Sequence, residues 1–316
     1  MSLELKPKAT RQAFGEALAE CGTENLKIVV LDADLSKSTK SESFAKKFPQ
    51  RFFEMGIAEA NMIGTGAGFG LSGYNAFICS FSCFVLGRYD QVRMSVAYAG
   101  ANVKIIGTHA GVGIGDDGHS QMGLEDIGLM RALPGMIVLQ PCDELETKAM
   151  VKFLSKYEGP AFMRLTRQNL QPVHSENYNW KLGKMDLLKE GKSGVLLAAT
   201  GATVQECVQA AKNLSEKGMD VSVVNLHTLK PFDSEGIVKL AKNNKHIFTA
   251  EDHYVVGGLG SCVAESLAEA GLNRAQLHRL GLKEQFGESG DPAELYDYFG
   301  ISAQKIAARV LEEVKS

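Results

Sequence analysis

The sequence predicts an α/β fold in which parallel sheets carry helices on both faces. Short apolar runs that end in acidic or turn residues alternate with helix-like stretches, the order expected of such sheets. The 316 residues include 33 glycines and are 45% hydrophobic, which suits tight strand-to-helix turns around buried cores. At about 150 residues per domain, this length predicts two domains.

In the first domain, five apolar runs predict buried parallel strands. A helix is expected from Arg11, with Thr10 as its cap. The strands are Lys27–Asp32, Asn75–Cys79, Val103–Gly107, Met136–Gln140 and Pro160–Leu165, and helices between them include Ala58–Gly70 and Leu86–Tyr98.

A polar stretch rich in Asn and Pro interrupts this pattern between Gln168 and Gly191, which predicts a linker with a short hairpin. A second cycle follows, with strands from Gly194, Val221 and His246 and helices over Thr203–Gly218 and from Ser302. We therefore expect two three-layer αβα domains, a mostly parallel one over 1–175 and a smaller one over 191–316, joined by a linker over 176–190.

Charge and cysteine content exclude several classes of protein. The chain has 34 basic and 37 acidic residues, a net charge of −3, which argues against nucleic-acid binding. The six cysteines form no Cys-x-x-Cys pair and have no His at zinc-ligand spacing, so reduced thiols in the cytosol are expected. No signal-peptide core and no membrane-spanning apolar run occur. We expect a cytoplasmic protein with no membrane span and no metal ligands of its own.

Ligands of open parallel sheets bind at the carboxyl ends of strands, so polar residues after strands are candidates for a site. Four such segments lie in the first domain: Asp32–Ser38, Phe81–Phe84, Thr108–Gln121 and Arg167–Asn169. Glu59, in a very apolar helix, is a fifth candidate. It is either on the exposed stripe of that helix or a buried carboxyl with a raised pKa that serves acid/base chemistry.

Single residues leave structural alternatives open. Gly113, Gly115 and Gly118 fit a dinucleotide fingerprint, but the acidic pair Asp116 and Asp117 would repel a diphosphate. His109 or His119 alone could be a surface or turn residue.

Aromatic and acidic residues elsewhere are equally ambiguous. Phe81 and Phe84, three apart, could be core or could form a cofactor surface. The segment Glu251–His253 could be an active-site loop or an ordinary turn.

Four motifs in this order resemble the carboxyl half of transketolases. They are RFFEMGIAEANMIGTGAG, SFSCFVLGRYDQVRM, GTHAGVGIGDDGHSQMGLEDIGLMRALPGMIVLQPCDE and FMRLTRQ. The resemblance covers nearly the whole chain, with a pyrimidine-binding domain over 1–175 and the family's carboxyl-terminal domain beyond. It implies chemistry with thiamine diphosphate, in which the cofactor acts as an electron sink.

The resemblance assigns cofactor contacts to five residues. Glu59 matches the glutamate that hydrogen-bonds the aminopyrimidine ring and so promotes loss of the thiazolium C2 proton. Phe81 and Phe84 match aromatic positions around the pyrimidine. Asp34 and Leu35 match positions that line the cofactor. Glu59 and His109 are the residues for which the resemblance implies a catalytic role.

The resemblance also implies a sugar-phosphate site that combines guanidinium groups with smaller donors. Its residues are Arg11, Ser38, His109 and Arg167, with Asp117 and Gln121 as contacts to substrate hydroxyls. One departure is His119, since family members usually have Pro after the corresponding Gly.

A second departure is the missing Gly-Asp-Gly…Asn motif, which in the family holds the cofactor diphosphate through a divalent metal. The resemblance therefore implies an amino-terminal partner subunit that binds the diphosphate and Mg²⁺, in an α2β2 heterotetramer acting on sugar phosphates. On this interpretation the 316 residues suffice to fold but not to catalyse.

Three alternative functions stay open. A 1-deoxy-D-xylulose-5-phosphate synthase-like enzyme and a 2-oxoacid dehydrogenase beta subunit share fold and cofactor, and Tyr89–Gln91 occurs in such relatives too. Ser38, His109 and Arg167 favour a sugar phosphate over an unphosphorylated oxoacid. The third alternative is a non-catalytic phosphosugar-binding partner, against which the presence of Glu59 argues.

Overall fold

Two mostly parallel sheets organise residues 6–315, the part of the chain that the computed structural model describes. The predicted fold class is confirmed. Residues 1–5 of the predicted first domain lie outside the described part. The strands are β1 (Lys8–Ala9), β2 (Ile28–Asp32), β3 (Phe52–Glu54), β4 (Asn75–Phe81), β5 (Val103–Thr108), β6 (Ile137–Leu139), β7 (Ala161–Arg164), β8 (Asn169–Leu170), β9 (Asp186–Lys189), β10 (Val195–Ala199), β11 (Ser222–Asn225), β12 (Thr228–Lys230), β13 (His246–Tyr254) and β14 (Gln276–Leu282).

Helices separate most of the strands. They are α1 (Thr10–Glu24), α2 (Ser36–Thr39), α3 (Glu42–Lys47), α4 (Glu59–Leu71), α5 (Ser82–Leu86), α6 (Tyr89–Gln91), α7 (Asp126–Arg131), α8 (Glu144–Leu154), α9 (Thr203–Ser215), α10 (Ser234–Ala241), α11 (Leu259–Glu269), α12 (Pro292–Tyr298) and α13 (Ala303–Lys315). Single 3₁₀ turns occur at Pro49–Arg51, Val112–Ile114 and His119–Gln121. Within residues 6–315, no helix combines the length and the apolar character needed to cross a membrane.

The seven-stranded sheet has the order β12-β6-β7-β5-β4-β2-β3 and, with its helices, is called here the first lobe. All neighbours are parallel except β12, which runs antiparallel to β6. Every residue of β2, β4 and β5 is buried, because helices cover both faces of the sheet. The carboxyl ends of β2, β4, β5 and β7 therefore meet at one edge, where the predicted site residues follow.

The five-stranded sheet has the order β14-β13-β10-β11-β9 and, with its helices, is called the second lobe. Strand β9 falls inside the segment 176–190 predicted as a linker, and it pairs antiparallel with β11 rather than within a local hairpin. Strand β12 follows β11 in the chain yet joins the sheet of the first lobe. The two lobes are therefore connected in two ways. The chain runs from one to the other, and β12, which follows β11 of the second lobe, forms the edge strand of the first lobe's sheet.

Three local predictions need correction. The helix predicted over Leu86–Tyr98 starts earlier as α5, breaks at Gly87, and resumes as α6 with a π-helical continuation over Val92–Tyr98. Thr10 is the first residue of α1 rather than its cap, and its hydroxyl accepts a hydrogen bond from the N–H of Thr166. Glu251–His253 is neither loop nor turn, since it lies inside the buried strand β13.

Candidate functional site

Asp32, the last residue of β2, shapes the first turn at the site edge. Its carboxylate accepts hydrogen bonds from the Leu35 N–H and from the hydroxyls of Thr39 and Ser41, at 2.7, 2.7 and 2.8 Å. Burial raises the pKa of Asp32 to about 6, although these donors oppose the shift. Asp34 stands exposed on this turn in a left-handed conformation with φ of 62°. The turn thus fixes the backbone of both residues predicted to line the cofactor.

Arg11, at the start of α1, contacts one residue from the segment after β2 and one from the segment after β5. Its Nη1 donates to the carbonyl oxygen of Ser38 at 2.7 Å and to Nε2 of His109 at 3.0 Å. His109 is 2% exposed, and its other ring nitrogen lies 2.8 Å from the Thr108 hydroxyl. Arg11 Nε is buried without a hydrogen-bond partner in residues 6–315. Three predicted sugar-phosphate residues are therefore in direct contact, and the buried Nε donor of Arg11 stays unused within residues 6–315.

His109 is held neutral by its surroundings. Burial and the positive charges of Arg11, Arg167 and Lys40 lower the pKa of His109 to about 3. Since Arg11 donates to Nε2, the imidazole carries its hydrogen on Nδ1 and donates it to Thr108. Both ring nitrogens are engaged within the protein.

Three aromatic rings lie in a row at the ends of β4 and β5. The rings of Phe81 and His109 stack with centroids 3.7 Å apart, and those of Phe81 and Phe84 stack 5.4 Å apart with 9° between their planes. Phe81 is 6% exposed, whereas Phe84 is half-buried. Phe81 thus belongs to the packed interior, while Phe84 keeps part of its surface open.

Glu59 is the first residue of α4 and is only 7% exposed. The alternative of an exposed stripe is wrong, because this position is buried; the acid/base role of Glu59 stays a prediction. No side-chain hydrogen bond or ion pair to Glu59 occurs within residues 6–315. The carboxylate oxygens are not among the fully buried polar atoms without a partner, so solvent still reaches them. They are therefore free to accept a hydrogen bond from a molecule outside residues 6–315.

The loop between β5 and α7 contains the predicted residues Asp117 and Gln121, and Arg167, which follows β7, lies beside this loop. Asp117 Oδ2 lies 3.8 Å from Arg167 Nη1, and both side chains are exposed. Arg167 also donates to the carbonyl oxygen of Ile114. Gln121 ends the 3₁₀ turn and is half-buried. Within the described chain, no hydrogen bond or ion pair connects Gln121 or Glu59 with Arg11, His109 or Arg167.

Sequence reasoning missed a buried ion pair beneath this loop. Arg164 Nε lies 2.8 Å from both carboxylate oxygens of Asp126, and Ser82 Oγ donates to the same carboxylate at 2.6 Å. Arg164 Nη2 donates to the carbonyl oxygens of Gly123 and Asp252, both at 2.8 Å. An arginine within the apolar run of β7 was the only signal in the sequence, and it did not reveal its partners.

A second polar cluster, Cys142, Asp143 and His174, has ligand atoms within 4.8 Å of one another, as a metal site would. However, His174 Nδ1 lies 2.8 Å from Asp143 and its Nε2 lies 3.1 Å from Asp186. Burial opposes the charge on His174, but these two hydrogen bonds outweigh it and raise the pKa to about 10. The protonated ring has no lone pair for a metal, so this cluster is a buried ion-pair network.

Comparison with known protein families identifies the family of this chain. The family described as transketolase, pyrimidine binding domain, matches residues 6–172, and the transketolase C-terminal domain matches residues 183–306. The chain belongs to the transketolase family. The resemblance expected from the sequence motifs is confirmed.

Similar transketolase proteins match along nearly their whole length. A Methanocaldococcus jannaschii protein named as a transketolase C-terminal section is 42% identical over 311 residues, covering 98% of this chain and 97% of that one. The 6-deoxy-6-sulfo-D-fructose transketolase subunit SqwH of a Clostridium species is 38% identical, covering 99% of this chain and 96% of that one. Both relatives have about the length of this chain.

A solved transketolase structure supports the same comparison. A split gene transketolase in the form of an inactive beta4 tetramer superposes with a TM-score of 0.88 at 43% identity. It covers 96% of this chain and 97% of the solved chain. The two-lobed arrangement is therefore shared with a transketolase of similar length.

Proposed function

We propose that this chain is the carboxyl-terminal subunit of a two-subunit transketolase. With an amino-terminal partner it would use thiamine diphosphate to transfer a two-carbon ketol unit from a ketose phosphate to an aldose phosphate. The observation that carries this proposal is Glu59, a largely buried residue at the start of α4 whose carboxyl has no partner in residues 6–315.

The residues at the site edge fit the pyrimidine half of thiamine diphosphate. Glu59 offers a carboxyl that can share a proton with a ring nitrogen, since nothing in the described chain satisfies it. Phe84, stacked beside Phe81, offers a partly open aromatic face to a flat heterocycle. When bound, the cofactor would supply the electron sink for the ketol transfer. This chain would hold the ring, exclude water from it and keep a proton at Glu59.

The cationic residues of the edge fit a sugar phosphate. Arg11 has a buried, unpartnered Nε, and Arg167 is exposed beside Asp117, so both guanidinium groups have donors to offer. His109, predicted to be catalytic, stays neutral because its pKa is about 3. We therefore propose that it acts as a hydrogen-bonding group that orients Arg11 rather than as an acid.

The partner subunit is inferred from relatives of about the same length, which are named a transketolase C-terminal section and a transketolase subunit. Residues 1–316 contain no Gly-Asp-Gly…Asn motif, and we propose that an amino-terminal subunit binds the diphosphate and Mg²⁺. The relative solved as an inactive beta4 tetramer supports this requirement for a second subunit. The α2β2 composition, the cytoplasmic location and the absence of nucleic-acid and membrane partners stay predictions.

Reconstitution with the amino-terminal subunit tests the proposal. In the presence of thiamine diphosphate and Mg²⁺, Glu59→Gln and Glu59→Ala should lower kcat for ketol transfer by about 100-fold or more, because the site loses its proton partner. Far-UV circular dichroism and the unfolding midpoint of both variants should stay close to those of the wild type.

The exposed Glu20 on α1 provides the matched control, and Glu20→Gln should leave kcat unchanged. Wild-type turnover by the Glu59→Ala complex would contradict the assignment. Release of carbon dioxide from pyruvate would instead identify one of the decarboxylating alternatives. A complex with full cofactor and metal but no activity would favour a non-catalytic binding partner.

A further inference from the structure

The loop over residues 109–121 is anchored near its start by the second lobe. Asp252 in β13 is 2% exposed, and its Oδ1 accepts a hydrogen bond from the N–H of Val112 at 2.7 Å. Its Oδ2 accepts from the N–H of Gly113 at 3.3 Å and from the Tyr296 hydroxyl at 2.9 Å. One buried carboxylate thus ties the loop backbone to two elements of the second lobe.

The other end of this loop contacts the segment after β14. The N–H of Gly287 donates to Nδ1 of His119 at 3.1 Å, and the ring of Phe286 lies 4.6 Å from the imidazole. A Cβ placed on Gly118 would lie 2.3 Å from the hydroxyl oxygen of Ser289, so the Ser289 side chain packs directly against the loop backbone at Gly118. His119, at the position where family members usually have Pro, therefore contacts Phe286 and Gly287 of the second lobe.

The loop needs external support because its backbone is irregular. His109, Gly111, Gly115 and Gly118 have φ of 55°, 84°, 85° and 75°, all in the left-handed region. Its internal hydrogen bonds form only short 3₁₀ turns. A Cβ on Gly111 would lie 2.1 Å from the carboxylate of Asp252, which shows how closely the anchor fits.

We propose that the second lobe positions the sugar-phosphate residues of the first lobe through a two-point clamp: Asp252 on Val112–Gly113, and Phe286–Gly287 on His119. Asp252 and His119 are positioning residues in this proposal. The clamped segment lies between His109 and Gln121 and includes Asp117, so its conformation sets where these groups stand. This role in substrate binding rests on the function proposed above, whereas the clamp itself does not.

Hydrogen exchange of the full-length chain tests the His119 contact without any activity. His119→Ala removes the acceptor and the ring contact, so amides of residues 109–123 should exchange about three- to tenfold faster. His119→Asn keeps an acceptor oxygen and should restore part of the protection. The neighbouring exposed Ser120 provides the control, and Ser120→Ala should leave exchange unchanged. Unchanged exchange in His119→Ala would overturn the clamp.

The Asp252 contact is tested by Asp252→Asn, which keeps the shape but removes one acceptor oxygen. Faster exchange should appear at Val112 and Gly113 while the rest of the chain keeps its protection. Protection equal to that of the wild type at these two amides would overturn this half of the clamp. Should the variant fold poorly, Tyr296→Phe removes only the hydroxyl contact to the same carboxylate and should give a smaller effect of the same sign.

Kinetics of the reconstituted complex test the role in substrate binding. His119→Ala should raise KM for the sugar phosphate about three- to tenfold while kcat stays within about twofold, because the loop must be ordered at binding. A faster-exchanging loop with an unchanged KM would overturn the role in substrate binding. If the wild-type complex itself shows no ketol transfer, the proposed function fails, and hydrogen exchange still decides whether the clamp exists.

Discussion

At the scale of single residues, the charge state of His109 determines what its imidazole can do. The ring is enclosed by cationic neighbours and stacked on Phe81, so protonation would add a positive charge where Arg11 already donates. A neutral ring that accepts from Arg11 instead fixes the direction of that guanidinium. The cation available to an anionic ligand is therefore the arginine and not the histidine.

We predict that His109 does not titrate in the physiological range. Its pKa is about 3, so its ¹⁵N or ¹³C resonances should stay constant from pH 8 to about 4.5. In the urea-unfolded chain, the same ring should titrate near pH 6.5. Because unfolding lets the imidazole take up a proton, His109 should reduce stability as the pH falls from about 6.5 towards 3. A midpoint between pH 5.5 and 7 in the folded chain would contradict the neutral assignment.

The sequence could indicate the residue types of the site but not all of their neighbours. It left Glu59 as either exposed or buried, because burial depends on what packs around the start of α4. The contact between Arg11 and His109 joins residues 98 positions apart, which no local pattern reports. The transketolase motifs placed these residues in one functional set. The low pKa of His109 required the three-dimensional arrangement.

At the scale of elements, helix α8 begins at a capping residue that also holds a charged histidine. Asp143 is the N-cap, and its Oδ1 accepts from the N–H of Glu146 at 2.9 Å. Its Oδ2 accepts from the backbone N–H of His174 at 2.9 Å and from the ring of His174 at 2.8 Å. Asp143 therefore connects the start of α8 to the segment that follows β8 through its hydrogen bonds to His174.

We predict that the interaction between His174 and Asp143 stabilises the fold less as the pH becomes alkaline. The pKa of His174 is about 10 in the folded chain, against about 6.5 when unfolded, so its stabilisation is complete below pH 6.5 and lost as the pH rises through 10. Urea unfolding should show wild type more stable than His174→Gln at pH 6. The difference should shrink steadily towards pH 10. A difference that stays constant or grows with pH would contradict the ion-pair assignment.

The elements most easily predicted were the central strands. Runs such as Ile28–Asp32 are buried on both faces, so an uninterrupted apolar sequence was sufficient to identify them. Strands β9 and β12 were missed because each has only three or four residues and pairs at a sheet edge. The break after α5 was missed because apolar periodicity continues through Gly87 while the backbone changes to a π-helix.

At the scale of the whole molecule, the two lobes are joined by β12, which follows β11 of the second lobe in the chain but pairs in the sheet of the first, and by side-chain contacts of Arg131. Lys230 in β12 donates to the carbonyl oxygens of Arg131, at 2.8 Å, and of Leu133. The side chain of Arg131 in turn donates to the carbonyl oxygen of Gly257 at 2.8 Å and pairs with Glu265 at 2.6 Å. Together with the Asp252 anchor, these contacts favour unfolding of both lobes as one unit.

We predict a single cooperative transition in urea, with coincident fluorescence and circular dichroism curves. Lys230→Met should lower the free energy of unfolding by about 1–3 kcal/mol, because two carbonyl oxygens lose their donor. The exposed Lys239 on α10 is the control, and Lys239→Met should change this free energy by less than about 0.5 kcal/mol. Two separate transitions in the wild type would contradict strong coupling between the lobes.

The position of β12 in the chain delays completion of the first lobe's sheet during synthesis, because β12 is made long after its partner β6. The edge of β6 can be covered only after roughly 60 further residues beyond β7 have been made. At about 5–20 residues per second, this interval lasts several seconds on the ribosome. During that time β6 presents unpaired backbone groups, which are a template for pairing with another chain. The sheet of the first lobe is therefore complete only once Thr228–Lys230 has been made and has paired with β6.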